Sequence, residues 1–261
     1  DVKSLITAID TRHPITNANF IRGSAEYFDE PALALMLLEL PSDQYRVFSG
    51  VAPLYRSGVG GFAAQTALVH ADGAAPDVAA LVATRQLEQR EAARRLSGDH
   101  AGTVTFLEQV DGELDSSLRM RGDVARVIRT VKPQVILGHD PWKRYRLHPD
   151  HRHAGLLTCD GIVAARDPHF FREHGIPHHR PSALLLFEAD EINHLEPADE
   201  ADIDRKLAAL HAHASQFEST MHATDDAGLV AFDRRIREAL ESLGAAHGMA
   251  AAEAFHLMTD L

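Results

Sequence analysis

The chain has little cysteine, few aromatic residues and no excess of basic charge. Its 261 residues include 1 Cys, 1 Trp and 4 Tyr, and the formal net charge is −12. The lone Cys159 excludes an internal disulfide and is typical of a reducing compartment, so we predict a cytoplasmic protein. It lies in an apolar stretch, where a packing role is expected. The acidic balance argues against unspecific binding to nucleic acids or anionic membranes.

Long hydrophobic runs are also missing. The longest ones, such as residues 32–38, fall far short of the roughly 20 residues that cross a bilayer. No basic patch followed by an apolar stretch opens the chain, so no signal peptide is expected. The sequence thus predicts no integral membrane segment.

Apolar residues make up 45% of the chain, which is enough for a sizeable core. We predict one domain spanning residues 1–261, with the helices of residues 200–261 packed on it. Periodicity and turn signals predict strands at residues 5–9, 45–52, 67–70, 103–107, 135–137 and 183–187. They predict helices at residues 32–40, 76–96, 122–130, 154–165, 203–217 and 229–243. This alternation indicates an α/β fold, namely an open, mostly parallel, Rossmann-like sheet with helices on both faces.

The most informative stretch is residues 138–155, which follows a predicted strand and precedes a predicted helix. Ligands of open α/β sheets bind at the carboxyl ends of the strands. Here His148 and His151 are three residues apart, with Asp150 between them. Two imidazoles and a carboxylate can supply a metal ligand, a proton donor and the group that orients it. We therefore favour a metal or catalytic role over a structural one.

The same loop carries groups that suit an oxygen-rich substrate. Arg144, Tyr145 and Arg146 would face such a substrate, although a solvated basic loop is an equally good account of them. After the next predicted strand, Glu188 and three further polar residues could line the same rim or form a solvated acidic loop: Asp190, Glu191 and His194.

Several motifs in this order resemble the zinc-dependent de-N-acetylases called the PIG-L or LmbE-like family. The resemblance covers roughly residues 66–220. Its strongest part is Gly138-His139-Asp140-Pro141 followed by His148-Pro149-Asp150-His151-Arg152-His153-Ala154-Gly155. Residues 81–90, 110–114 and 206–216 carry the rest.

The resemblance implies a role for each matching residue. It makes His151 a zinc ligand and His148 the group that stabilises the oxyanion, with Asp150 tuning that histidine. It implies that Arg85 contacts a sugar substrate. One zinc ion is the implied cofactor.

The family's first motif, His-Pro-Asp-Asp, is absent from the chain. In one register, His13-Pro14-Ile15-Thr16 takes its place, which keeps His13 as a metal ligand and loses both carboxylates. In another, Leu54-Tyr55-Arg56-Ser57 replaces the motif entirely. Three explanations stay open: catalysis has been lost, other carboxylates such as Asp10, Asp72 or Asp111 substitute, or the first 65 residues are not the protein's own sequence.

Two functional hypotheses follow. The first is a zinc-dependent hydrolase that removes an acyl group, in the simplest case acetyl, from an amino-sugar conjugate such as one of N-acetylglucosamine. The second is a catalytically impaired relative that binds a sugar or a partner protein. The sequence names neither the substrate nor the oligomeric state and leaves a homo-oligomer open.

Overall fold

The computed structural model describes residues 35–38, 47–49, 78–97, 102–109, 113–218 and 221–261. These residues form seven strands: β1 (Leu35–Leu38), β2 (Val47–Ser49), β3 (Gly102–Thr105), β4 (Val135–His139), β5 (Ala183–Phe187), β6 (His194–Ala198) and β7 (Ala251–Met258). The same described residues form five α-helices: α1 (Val78–Ser97), α2 (Leu118–Val131), α3 (Pro149–Arg166), α4 (Glu200–Leu210) and α5 (Asp226–Ala245).

The strands form one mixed sheet in the order β3-β1-β2-β4-β5-β7-β6. Only the pairs β2–β4 and β4–β5 are parallel, and the other four pairs are antiparallel. The predicted α/β class is thus confirmed, but the sheet is not mostly parallel in its pairing. The reason is that β1 and β7 run against the other five strands, and each is paired on both sides.

The helices lie on both faces of the sheet. Buried residues of α2 and α3 pack against β4 and β5 in one core cluster, which Met258 of β7 also touches. On the same strand, Glu253 binds Lys206 of α4. Because residues an odd number apart on a strand point to opposite faces, α3 and α4 cover opposite sides. The parallel centre of the sheet is therefore protected from water on both faces.

Most helices and strands lie where the sequence places them, with three exceptions. The predicted helix at residues 32–40 is wrong, because residues 35–38 form strand β1 between β2 and β3. A short apolar run does not by its periodicity distinguish a buried strand from a helix. Strands β6 and β7 were not predicted, and β7 lies in the C-terminal segment expected to be helical. The predicted strands at 5–9 and 67–70 lie outside the described residues.

A buried arginine fixes the end of α3. Arg129 of α2 is 2% exposed, and its guanidinium donates hydrogen bonds of 2.8–3.3 Å to backbone carbonyls. The acceptors are the carbonyls of Ala164, Ala165, Asp167, Phe170 and Phe171. The last carbonyls of a helix have no partner within the helix, so this side chain caps α3 from outside. Within the described residues, no helix is both long and apolar enough to cross a membrane.

Candidate metal centre

Three buried side chains come together at the carboxyl ends of β4 and β5. They are His139, the last residue of β4, His151 in the first turn of α3, and Glu188, which directly follows β5. One potential ligand atom of each lies within 4.8 Å of those of the other two. Two imidazoles and a carboxylate are a ligand set that proteins use for zinc, with a further position left for water.

The strand register explains why His139 and Glu188 meet. β4 and β5 are parallel, and His139 is the register partner of Phe187. Its ring packs against the Phe187 ring with centroids 4.4 Å apart. Glu188 has a φ of 54°, a left-handed conformation that is uncommon for a residue other than glycine and that turns the chain out of the strand.

Small residues let α3 approach β4 closely, and this brings His151 to the cluster. A Cβ at Gly155 would lie 2.6 Å from the His139 carbonyl oxygen, and one at Gly138 would lie 2.8 Å from the Thr158 side chain. Neither position has room for a larger residue. As a result the rings of His139 and His151 stack with centroids 4.5 Å apart.

Arg146 places its charge in the centre of the cluster. Its Nη1 lies 3.1 Å from His139 Nδ1 and 3.0 Å from His151 Nδ1, and it forms an ion pair with Glu188 Oε2. A guanidinium can only donate hydrogen bonds, so both Nδ1 atoms accept and carry lone pairs that face the centre. Both rings are therefore neutral at Nδ1, which is the form in which an imidazole nitrogen can bind a metal ion.

The ionisation of the cluster is consistent with this assignment. Burial, with smaller contributions from His139 and Arg146, lowers the pKa of His151 to about 3. Burial also lowers the pKa of His139. For Glu188, burial acts to raise the pKa, but the contacts with His139 and Arg146 outweigh it and lower the pKa to about 2. At neutral pH the cluster thus offers two neutral imidazoles and one carboxylate.

A second carboxylate ties the two strand-end loops together. Asp140 is buried, and its Oδ1 accepts from the Trp142 backbone N–H at 2.9 Å while its Oδ2 accepts from the Asp190 backbone N–H at 2.8 Å. On the surface, Arg144 Nε binds the Asp190 carboxylate at 2.6 Å. The two Asp140 hydrogen bonds hold these loops together and position His139 relative to Glu188, whereas the exposed Arg144–Asp190 pair adds little.

His148 lies beside the cluster as the N-cap of α3. Its Nδ1 accepts a hydrogen bond from the backbone N–H of Asp150 at 3.2 Å. The centroids of the His148 and His151 rings are 5.1 Å apart. Asp150 itself is fully buried. The structure thus brings His148, Asp150 and His151 together, although the hydrogen bond to His148 comes from the backbone of Asp150. Their predicted catalytic and ligand roles stay predictions.

The remaining predicted residues occupy different places. Tyr145 is 94% exposed on the loop, whereas the Arg146 side chain points inward to the cluster. Arg85 is buried in α1, where its charge acts on His213. His13 lies outside the described residues. Sequence patterns alone indicate no role for His139 and leave the role of Glu188 open. The signal that could have found them is that each lies at the end of one of two adjacent parallel strands.

The fold and the cluster together define an α/β protein. At the carboxyl ends of its parallel strands β4 and β5, it has a buried group of two histidines and a glutamate that could hold a metal ion. Residues 61–161 match the family PIG-L, described as GlcNAc-PI de-N-acetylase. The diacetylchitobiose deacetylase of Thermococcus kodakarensis is 32% identical over 140 residues, which are 52% of this chain and 51% of that protein. The chain thus spans about half the length of this curated relative. Both matches are to deacetylases.

Two solved structures are also similar to this chain. The N,N'-diacetylchitobiose deacetylase of Pyrococcus horikoshii, determined with its inhibitor MPG, is 27% identical with a TM-score of 0.58, over 69% of this chain and 64% of that one. GalB, the 4-carboxy-2-hydroxymuconate hydratase of Pseudomonas putida, is 18% identical with a TM-score of 0.57, over 81% of this chain and 82% of that one. The second likeness shows the fold alone, so the reaction must be argued from the site.

A buried histidine away from the cluster predicts how stability depends on pH. Burial, together with the charges of Arg85 and Arg95, lowers the pKa of His213 to about 4. An unfolded histidine titrates near 6.5. Between these two pH values, His213 is protonated in the unfolded chain but not in the folded protein. The contribution of the neutral His213 to stability is therefore complete above about pH 6.5 and is lost as the pH falls towards 4.

We expect His213 to contribute on the order of 2 kcal/mol to the fall in unfolding free energy between about pH 7 and about pH 4.5. Urea unfolding at several pH values measures it. His213→Gln should flatten the curve in this range, and the same change at the exposed His169 should not. Parallel curves for His213→Gln and the unaltered protein would contradict the prediction.

Proposed function

We propose that this protein is a metal-dependent hydrolase that removes an acetyl or other acyl group from an amino-sugar amide, such as an N-acetylglucosamine conjugate. The observation that carries the proposal is the buried cluster of His139, His151 and Glu188 at the carboxyl edge of the sheet. Its support is that the curated relative and one of the solved structures are diacetylchitobiose deacetylases.

The donor set fits a divalent ion. His139 and His151 turn the lone pairs of Nδ1 towards the centre, and Glu188 is ionised there, so a cation would replace the guanidinium of Arg146. Two imidazoles and a carboxylate bind several divalent metals, zinc among them, and the resemblance to zinc-dependent de-N-acetylases leads us to propose zinc. When bound, such an ion lowers the pKa of a water molecule and polarises a carbonyl group.

His148 is the group on this chain best suited to hold the amide oxygen. Since its Nδ1 accepts the Asp150 backbone N–H, the ring proton of the neutral form is on Nε2. That N–H can donate to the carbonyl oxygen and to the negative charge that develops there. The backbone N–H of Asp150 holds the ring in this orientation.

The substrate would enter over the loop after β4. Trp142 is 60% exposed and Tyr145 is almost fully exposed, so both offer ring faces on which a sugar could pack. We propose Tyr145 as a substrate contact, with Arg85 and His13 as further predicted contributors to the sugar and metal sites. The single cysteine supports a cytoplasmic location.

The test is hydrolysis of defined N-acetylated sugars. The purified protein is stripped of metal, reloaded with zinc, and incubated with N-acetylglucosamine and with N,N'-diacetylchitobiose, and released acetate and free amine are both measured. We expect one equivalent of amine for each acetate, and dependence on the added zinc. No release from either sugar, with zinc, cobalt or nickel in the protein, would reject the proposal.

One observation favours a second candidate, a sugar-binding relative without catalysis. Arg146 neutralises Glu188 and fills the centre of the cluster, which would suit a protein that no longer binds metal. Calorimetry distinguishes the two. Binding of N,N'-diacetylchitobiose to the metal-free protein, unaltered by zinc and without turnover, supports the binding module.

A further inference from the structure

Arg146 is the one inward-pointing member of an exposed tripeptide. Tyr145 and Leu147 on either side are 94% and 91% exposed, whereas the Arg146 side chain is only 6% exposed. The backbone of Tyr145 has a φ of 61°, a left-handed conformation that few non-glycine residues adopt. The loop is thus shaped so that a single cationic group reaches the cluster.

The position of Nη1 is the position that a metal ion would need. This nitrogen contacts all three candidate ligands at once, with 3.1 Å to His139 Nδ1, 3.0 Å to His151 Nδ1 and an ion pair to Glu188. A zinc ion would lie roughly 2.0–2.2 Å from the same atoms. Ion and nitrogen would then nearly coincide, so sterics exclude that both are present, and their like charges oppose it further.

We propose that Arg146 is a built-in cation that competes with the metal ion for His139, His151 and Glu188. The inference rests on the metal centre proposed above. Without metal, the guanidinium compensates the buried carboxylate and contacts Nδ1 of both imidazoles. When the ion binds, Arg146 leaves the cluster for the exposed loop.

The competition gives Arg146 two roles in the two states. In the metal-free protein it stabilises a buried charge that would otherwise be unpaired. In the metal-bound protein its guanidinium is released beside Tyr145, where it can donate to oxygen atoms of a bound sugar. Substrate contact by Arg146, which the sequence predicts, then becomes available only after the ion is in place.

A competitor of this kind lowers the apparent affinity for the ion. The ligands accept metal only in the fraction of molecules in which Arg146 is outside, and the apparent dissociation constant rises by the inverse of that fraction. Removing the side chain should therefore tighten metal binding. A merely structural arginine behaves oppositely, since its loss would disorder the site and weaken binding.

The test compares Arg146→Ala and Arg146→Lys with Arg144→Ala, a matched change at an exposed arginine of the same loop that binds Asp190. Zinc affinity is measured by competition with a chromogenic chelator, and stability of the metal-free proteins by urea unfolding. We expect Arg146→Ala to bind zinc at least about tenfold more tightly and to unfold at lower urea when metal-free. Arg144→Ala should change neither quantity.

The outcomes separate this inference from the metal centre itself. Zinc affinity unchanged or weakened in Arg146→Ala, while Glu188→Gln abolishes zinc binding, overturns the competition and leaves the metal centre standing. If no variant binds zinc, the metal centre fails and the competition falls with it. Zinc binding that appears only after removal of Arg146 supports the competition most directly.

Discussion

Replacing His151 by alanine is expected to abolish zinc binding and to lower the hydrolysis of an N-acetylated amino sugar by at least about a thousandfold. His151 supplies one of only two imidazoles in the cluster, and the remaining pair of His139 and Glu188 would hold an ion weakly. Without the ion, the carbonyl is not polarised and water keeps its ordinary pKa.

Metal content by elemental analysis and kcat/KM on N,N'-diacetylchitobiose measure the effect. His153→Ala is the matched control, since His153 lies on the same helix, is half-buried and contacts Ser116 rather than the cluster. We expect the control to keep its zinc and most of its activity. A His151→Ala protein with full zinc content and unchanged kcat/KM would show that the metal lies elsewhere.

The sequence alone predicts half of this site. The spacing of His148, Asp150 and His151 after an apolar strand is a local pattern. The structure makes His148 the N-cap of α3 and places Asp150 and His151 in its first turn, whereas the predicted helix begins only at residue 154. His139 and Glu188 are 49 residues apart, and only the parallel register of β4 with β5 brings them together. Register is a tertiary property that no local pattern records.

The fold shows the same division. Helices α2, α3, α4 and α5 were predictable because each has a capping residue of its own. Strand β7 was not, because its residues alternate weakly and its place depends on pairing with both β5 and β6. The inward orientation of the Arg146 side chain likewise could not be predicted, because an arginine between Tyr145 and Leu147 is typical of a solvated loop.

The largest loss of stability is expected from Arg129→Met. Methionine keeps an unbranched chain of similar width to the aliphatic part of arginine. It removes the guanidinium that binds five carbonyls at and just beyond the end of α3. Hydrogen bonds from a charged group contribute about 1.5–3 kcal/mol, and each buried carbonyl left without a donor costs about 1–3 kcal/mol. Because the helix end can relax towards water, we expect a net loss of about 3–5 kcal/mol.

The measurement is urea unfolding of Arg129→Met beside Arg126→Met, an exposed arginine one turn earlier on α2. The exposed change should cost less than about 0.5 kcal/mol. Arg129→Lys should fall between, because an ammonium keeps the charge near the helix carboxyl end but cannot reach all five carbonyls at once. Equal unfolding midpoints for the two Met variants would mean that the carboxyl end of α3 is stable without the hydrogen bonds from Arg129. The hydrogen bonds from α2 would then be a consequence of the packing of the two helices and not what holds His151, at the other end of α3, against β4.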